Sequence, residues 1–204
     1  TTLSDQEEID RVAPIIEAVK ARFDVPVSLD TYKSAVAKAG LKAGADLIND
    51  IWGLKYDEKM GPVIAKYGVP CCLMHNREKS DYRMLIPDIC ADLEESLAIA
   101  EDAGIDPDQI ILDPGIGFGK TYEQNLAVIH HLEELNRFDL PILLGTSRKS
   151  VIGLTLDLPA EERMEGTLVT TVLAVEKGCS FVRVHDVREN VRAIRMARAI
   201  LEAE

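Results

Sequence analysis

The chain has 204 residues, 47% hydrophobic and 28% charged, the composition of a folded globular protein, which excludes wholesale disorder. Its 23 Lys+Arg against 35 Asp+Glu leave a net charge of −12, which argues against nucleic acid and anionic membrane surfaces as partners. No apolar run approaches the roughly 18 residues of a membrane span, and the first residues lack a signal-peptide layout. Cys71, Cys72, Cys90 and Cys179 show no C-x-x-C pair and no zinc-type spacing, so buried, reduced thiols in a cytoplasmic protein are expected.

Residues 4–23 predict a helix. Ser4 and Glu7 form a capping box, and Ile9, Val12, Ile16, Val19 and Phe23 recur at +3/+4 steps on one face. Six short apolar runs follow, at 25–30, 45–51, 69–75, 110–113, 141–147 and 181–186. They are too uniformly apolar for half-exposed antiparallel strands and read as buried parallel ones. Helical patterns lie between them, closed by Gly44, Gly68, Gly104 and Gly178 as left-handed caps. Thr121 and Gln124 form a second capping box ahead of Leu126, Ile129 and Leu132, with His130 and His131 placed mid-helix. The last helix starts near Glu189 and offers Val191, Ile194, Ala197 and Leu201 as its apolar face.

An opening helix followed by six strand–helix units, with no linker, predicts one domain over 1–204 and a parallel sheet with helices outside it. An open doubly wound sheet would carry a glycine-rich turn after its first strand, and Asp30-Thr31-Tyr32-Lys33 contains no glycine. The expected fold is therefore an α/β (β/α)8 TIM barrel, N-terminally incomplete, with six βα units visible. Eight units take about 250 residues, so two units amount to roughly 60.

In such a barrel the chemistry sits at the C-terminal strand ends. Those ends supply Asp30, Asn49, His75, Asp113, Ser147 with Lys149, and Arg183 with His185. Arg183 and His185 alternate with Val182 and Val184, which points both the same way. A guanidinium fork beside an imidazole suits a phosphate or diphosphate, and Lys149 adds a further cation. Arg148 reads either as part of that rim or as a solvated surface charge. The run Asp113–Thr121, DPGIGFGKT, fits neither nucleotide loop. A Walker A loop needs glycine where Pro114 stands, and the dinucleotide fingerprint needs its third glycine one residue later. What remains is a carboxylate at a strand end, a loop that lets a ligand approach backbone, and Phe118 as a flat wall. A buried carboxylate and an amide such as Asn49 can accept the paired N–H donors of an aminopyrimidine ring. No cluster has metal-ligand spacing.

The blocks SLDTYK, LINDIWG, MHNRE, ILDPGIGFGKT, LLGTSRKS and FVRVHDV resemble, in order and approximate spacing, the dihydropteroate synthase family. The likeness runs from about residue 4 to the end. It implies a (β/α)8 barrel that joins 6-hydroxymethyl-7,8-dihydropterin diphosphate to p-aminobenzoate by an SN1-like substitution and releases diphosphate. It assigns Asp113 and Asn49 to the aminopyrimidine edge, Asp30 to the neighbouring nitrogens and Lys149 to the polar rim. Ile51, Met74 and Phe118 become apolar walls, and Gly145 permits close approach. Arg183 and His185 serve the anion, and Ser147 with Phe118 and Lys149 borders p-aminobenzoate. Asp30, Lys149, Arg183 and His185 are the expected catalytic set.

The resemblance also implies Mg2+ held through the substrate diphosphate, binding of sulfonamide-type analogues, and a homodimer paired through late helices near Ile194 and Leu201. Family members carry a V-N-x-T-P-D-S-F loop, whose Asn contacts the metal–diphosphate, and a G-E-S-T-R-P lid, both ahead of the matched stretch. Neither motif occurs in these 204 residues, so weak or absent turnover is expected of this stretch alone. Two rival readings are a pterin-binding methyltransferase barrel, which has no use for the SRKS and RVHD cations, and a pterin-binding protein without catalysis.

Overall fold

The computed structural model describes residues 3–203. Helix α1 (Asp5–Arg22) leads into β1 (Ser28–Asp30), α2 (Ser34–Ala43), β2 (Leu47–Asp50), α3 (Met60–Tyr67), β3 (Cys71–Met74) and α4 (Leu85–Asp102). Then come β4 (Ile110–Asp113), α5 (Tyr122–His130), β5 (Leu143–Leu144), α6 (Ser150–Leu156), α7 (Met164–Glu176), β6 (Phe181–Val182) and α8 (Val187–Leu201). All six expected strands are present, each shorter than its apolar run except β4. The fifth connection holds two helices, α6 and α7, where one was expected.

The chain divides into two compact units, one running to Met74 and including Asp92–Ile111, the other made of His75–Ala91 and the residues from Leu112 onward. In the first unit β1, β2 and β3 pair in parallel, with Ser28 opposite Leu47, Asp30 opposite Asn49 and Asn49 opposite Cys72. Ile48, Cys71, Cys72 and Leu73 are fully buried, as near-continuous apolar strands of a parallel sheet must be. Helix α1 packs on α2, with Ile16 buried. Its capping box forms as expected, Ser4 Oγ accepting the Glu7 N–H and the Glu7 carboxylate accepting the Ser4 N–H. Phe23 does not join the buried face; it lies beyond the last helical turn and is 59% exposed. Lys33 is buried, and its ammonium is taken by Glu8 Oε1 at 2.7 Å and by the Leu3 carbonyl. That ties the start of α1 to the turn after β1.

In the second unit Leu112 bridges to Ile142, and β5 pairs with β6 through Leu143–Phe181 and Leu144–Val182. The core gathers Leu112, Ile116, Val128, Leu132, Leu135, Ile142 and Leu144. The Thr121–Gln124 capping box starts α5 as expected, but Leu126 is exposed while Ile129 and Leu132 are buried. Helix α5 stops at His130 and the chain tightens into a 3-10 helix, Leu132–Phe138. His130 and His131 therefore sit at a helix end, both exposed, and not mid-helix. On α8 the buried residues are Asn190 and Ala197; Val191 and Leu201 face outward, Leu201 at 57% exposure.

Candidate active site

The first unit places two of the expected residues side by side. Parallel register sets Asp30 beside Asn49 at the ends of β1 and β2, and Asn49 Nδ2 donates to Asp30 Oδ1 at 2.7 Å. Asn49 is buried, and its Oδ1 has no hydrogen-bond partner among the described residues. An acceptor left open in this way costs about 1–3 kcal/mol. The neighbouring Asp50 does something different. Its carboxylate accepts from the N–H groups of Trp52 and Leu54 at 2.9 and 2.8 Å, folding the chain back just after Ile51. Burial pushes the Asp50 carboxyl above the usual range against those two hydrogen bonds. Met74 lies buried at the end of β3.

The second unit centres on Asp113, buried at the end of β4. Its Oδ1 accepts the Gly115 N–H at 2.7 Å. Burial raises its carboxyl above the ordinary carboxylate range, and the Gly115 hydrogen bond with the charges of Lys149, Lys120 and Arg183 pulls the other way. A Cβ built on Gly145 would reach within 4.0 Å of Asp113 Oδ2 and 3.9 Å of Lys149 Nζ. The open space above Gly145 is thus bordered by a carboxylate and an ammonium. Lys149 is aimed there by its own contacts, since its Nζ donates to the Ile116 carbonyl and lies 4.9 Å from the centre of the Phe118 ring.

Beyond β5 and β6, Ser147 and His185 meet. Ser147 Oγ lies 2.9 Å from His185 Nδ1 and also accepts the His185 N–H at 3.2 Å. Strand pairing ends at Val182, yet Arg183 and His185 remain exposed and Val182 and Val184 half-buried, so the period-two alternation continues past the ladder. Arg148 is not a free surface charge. It has a left-handed backbone (φ 58°), and its guanidinium grips Asp186 at 2.8 and 3.3 Å. Its N–H donates to Thr167 Oγ1 at 3.2 Å, and its carbonyl accepts from Arg163 Nη1 at 2.8 Å.

Three contributors were not among the predicted site residues: Lys120, Arg163 and Asp186. Lys120 and Asp186 lie inside the quoted blocks ILDPGIGFGKT and FVRVHDV but were given no role there, and Arg163 carried no motif signal. Among the described residues no group of three or more His, Cys, Asp or Glu is placed to hold a metal ion, and no helix is long and apolar enough to cross a membrane.

The first unit thus ends its strands in a half-satisfied buried amide, and the second in a buried carboxylate with cations near it, on parallel βα units of the kind enzymes are built from. Residues 1–185 match the family model described as pterin binding enzyme. The chain is 60% identical over 200 residues to the dihydropteroate synthase of Clostridium beijerinckii, spanning 98% of this chain and 74% of the relative. It superimposes on the Clostridium difficile dihydropteroate synthase crystallised with pteroic acid at a TM-score of 0.97 and 45% identity, covering all of this chain and 78% of that one. The Yersinia pestis enzyme with a pterin–sulfa conjugate gives 0.95 and 42%, covering 100% and 79%. The chain belongs to the pterin-binding enzyme family, among the dihydropteroate synthases. Its fold is the α/β TIM-barrel-like fold of those enzymes, and its class is transferase.

Proposed function

We propose that the chain, working as one pterin-binding domain, performs the family reaction with its own residues in the following roles. Asn49 Oδ1 and the Asp113 carboxylate accept the N–H donors of the pterin's aminopyrimidine edge, and Asp30 lies with the adjoining nitrogens. Ile51, Met74 and Phe118 wall the ring, Gly145 leaves room for it, and Lys149 donates at its polar rim. Arg183 stacks on the pterin and, with His185, receives the diphosphate. Ser147, Phe118 and Lys149 border p-aminobenzoate, the position sulfonamide-type analogues would share.

The C–O bond to diphosphate breaks with its electron pair leaving on oxygen, and Arg183 and His185 stabilise that developing charge. The pterin-methyl cation left behind is favoured by the anionic Asp30. The arylamine nitrogen then attacks the methylene carbon and loses a proton. Mg2+ would be held through the diphosphate oxygens and would add positive charge at the leaving group; among the described residues no group of three or more His, Cys, Asp or Glu is placed to hold it. Exposed Val169, Met196, Ile200 and Leu201 on α7 and α8 support a homodimer, and four cysteines outside any disulfide fit a cytoplasmic enzyme.

The observation that carries this reading is the open, buried Asn49 Oδ1. Calorimetric titration with 6-hydroxymethylpterin, with and without diphosphate and Mg2+, tests it. Wild type is expected to bind more tightly when diphosphate is present, and Asp113→Asn to lose binding. A chain that is folded by circular dichroism and takes up no pterin would overturn the assignment.

A further inference from the structure

Lys120 ends the glycine-rich turn at the position where a nucleotide-binding loop would offer its lysine outward, and it turns inward instead. Its Nζ lies 3.0 Å from the Gly115 carbonyl, 3.0 Å from the Phe118 carbonyl and 2.9 Å from His75 Nδ1. An ammonium only donates, so His75 Nδ1 is an acceptor and the neutral ring carries its proton on Nε2. The turn is pressed against the same segment. A Cβ on Gly115 would run into the His75 carbonyl oxygen, and one on Gly119 into the Arg77 backbone, with both glycines at positive φ. Tyr82 Oη braces the far end by donating to the Gly119 carbonyl at 2.8 Å.

We infer that Lys120 is a positioning residue for pterin binding, its ammonium bolting the Gly115–Phe118 turn to His75 so that Asp113 and Phe118 are held at the ring. This rests on the pterin site read above. Lys120 also acts through its charge. The charges acting on the Asp113 carboxyl include Lys149 from the loop after β5, Arg183 after β6 and Lys120 itself, and Asp113 acts in turn on the Cys179 thiol before β6. Burial already makes Asp113 hard to ionise. Removing one of three cations makes it harder still, so the acid limb of pterin binding moves to higher pH.

The test is titration of the full chain with 6-hydroxymethylpterin across pH, for wild type, Lys120→Gln, Lys120→Arg, Tyr82→Phe and His75→Gln. Lys120→Gln keeps a donor and removes the charge; it should bind about tenfold more weakly, with its acid limb shifted upward. Lys120→Arg should fall between wild type and Lys120→Gln, with the limb unmoved. Tyr82→Phe loosens the turn without touching charge, so its limb also stays put. Lys120→Gln binding within twofold of wild type with the limb in place overturns the inference, as does an equal limb shift in Tyr82→Phe. Should Lys120→Gln not fold, His75→Gln decides: weaker binding with an unmoved limb supports the bolt, and wild-type affinity overturns it. A folded wild type that binds no pterin brings down the site reading and this inference together.

Discussion

Ser147 Oγ sits between two nitrogens of His185, 2.9 Å from ring Nδ1 and 3.2 Å from the backbone N–H that it accepts. The hydroxyl keeps a second lone pair and its proton for Nδ1. One buried hydroxyl therefore ties the loop after β5 to the loop after β6. Ser147→Ala removes both bonds. A neutral hydrogen bond is worth about 1 kcal/mol, so diphosphate affinity should fall about fivefold while 6-hydroxymethylpterin alone binds as before. Calorimetry with each ligand separately checks this; an equal loss for both would contradict it.

Asp113 predicts a trade between stability and binding. Its carboxyl is raised by burial, so in the folded state it holds its proton to higher pH than in the unfolded chain. The folded form binds more protons in the interval above the ordinary aspartate range, and stability therefore falls as pH rises through that interval to the folded pKa. Asp113→Asn removes this penalty, and its Oδ1 can still accept the Gly115 N–H. The variant should melt higher than wild type at pH 7. That advantage should shrink as pH is lowered toward the ordinary aspartate range, while pterin binding is lost throughout. Thermal melts from pH 4 to 7 give the answer.

How far the sequence discloses this site depends on the reach of each signal. The strands were legible because Ile48, Cys71, Leu73 and Leu112 form apolar runs that no other packing explains, and both capping boxes form at the predicted residues. Asp30 and Asn49 were legible as strand ends, and their contact follows from parallel register. Periodicity failed where a helix stopped early or lacked a cover, as at Phe23, Leu126 and Leu201. Lys120–His75 and Arg148–Asp186 span 45 and 38 residues of sequence and join loops. Nothing in a local pattern says where two loops meet, so these pairs emerge only from the folded chain.

The turn after β4 makes a stability prediction. Gly115 has φ 72°, and a Cβ there would strike the His75 carbonyl oxygen. A non-glycine residue pays about 1–2 kcal/mol for the left-handed backbone, and the displaced His75 backbone adds to that. Gly115→Ala should cost about 3 kcal/mol in urea unfolding. Gly68 has a similar φ of 61° with nothing within 4 Å of its would-be Cβ, so Gly68→Ala should cost only the backbone share, about 1–2 kcal/mol. Equal losses would mean that the His75 contact is not what demands glycine.

Arg163 holds the SRKS loop from outside. Its Nη1 donates to the Arg148 carbonyl and its Nε to the Leu158 carbonyl at 2.8 and 2.9 Å, and a Cβ on Gly153 would overlap its guanidinium. Arg163→Met should cost about 2–3 kcal/mol, in keeping with loss of charged-donor hydrogen bonds. Gly153→Ala should dislodge the same guanidinium, so the double variant should fall short of the summed losses by about 1 kcal/mol or more. Additive effects in a double-mutant cycle would separate the two positions.

The cysteines yield the last prediction. Burial pushes the Cys71 thiol up to about 12, with the Asp50 charge adding to it, and the Cys179 thiol up to about 11, with the Asp113 charge adding to it. Only the thiolate attacks an alkylating reagent, and at pH 8 that form is scarce at both sites. Iodoacetamide should leave Cys71 and Cys179 unmodified in the native chain over a period in which the urea-unfolded chain is fully alkylated, as read by peptide mass spectrometry. Cys179 is the sharper test, because it is only half-buried. Its protection depends on the Asp113 charge as well as on access, so Asp113→Asn should make Cys179 label faster and leave Cys71 unchanged. Equal labelling of Cys179 in both proteins would show that steric cover alone protects it.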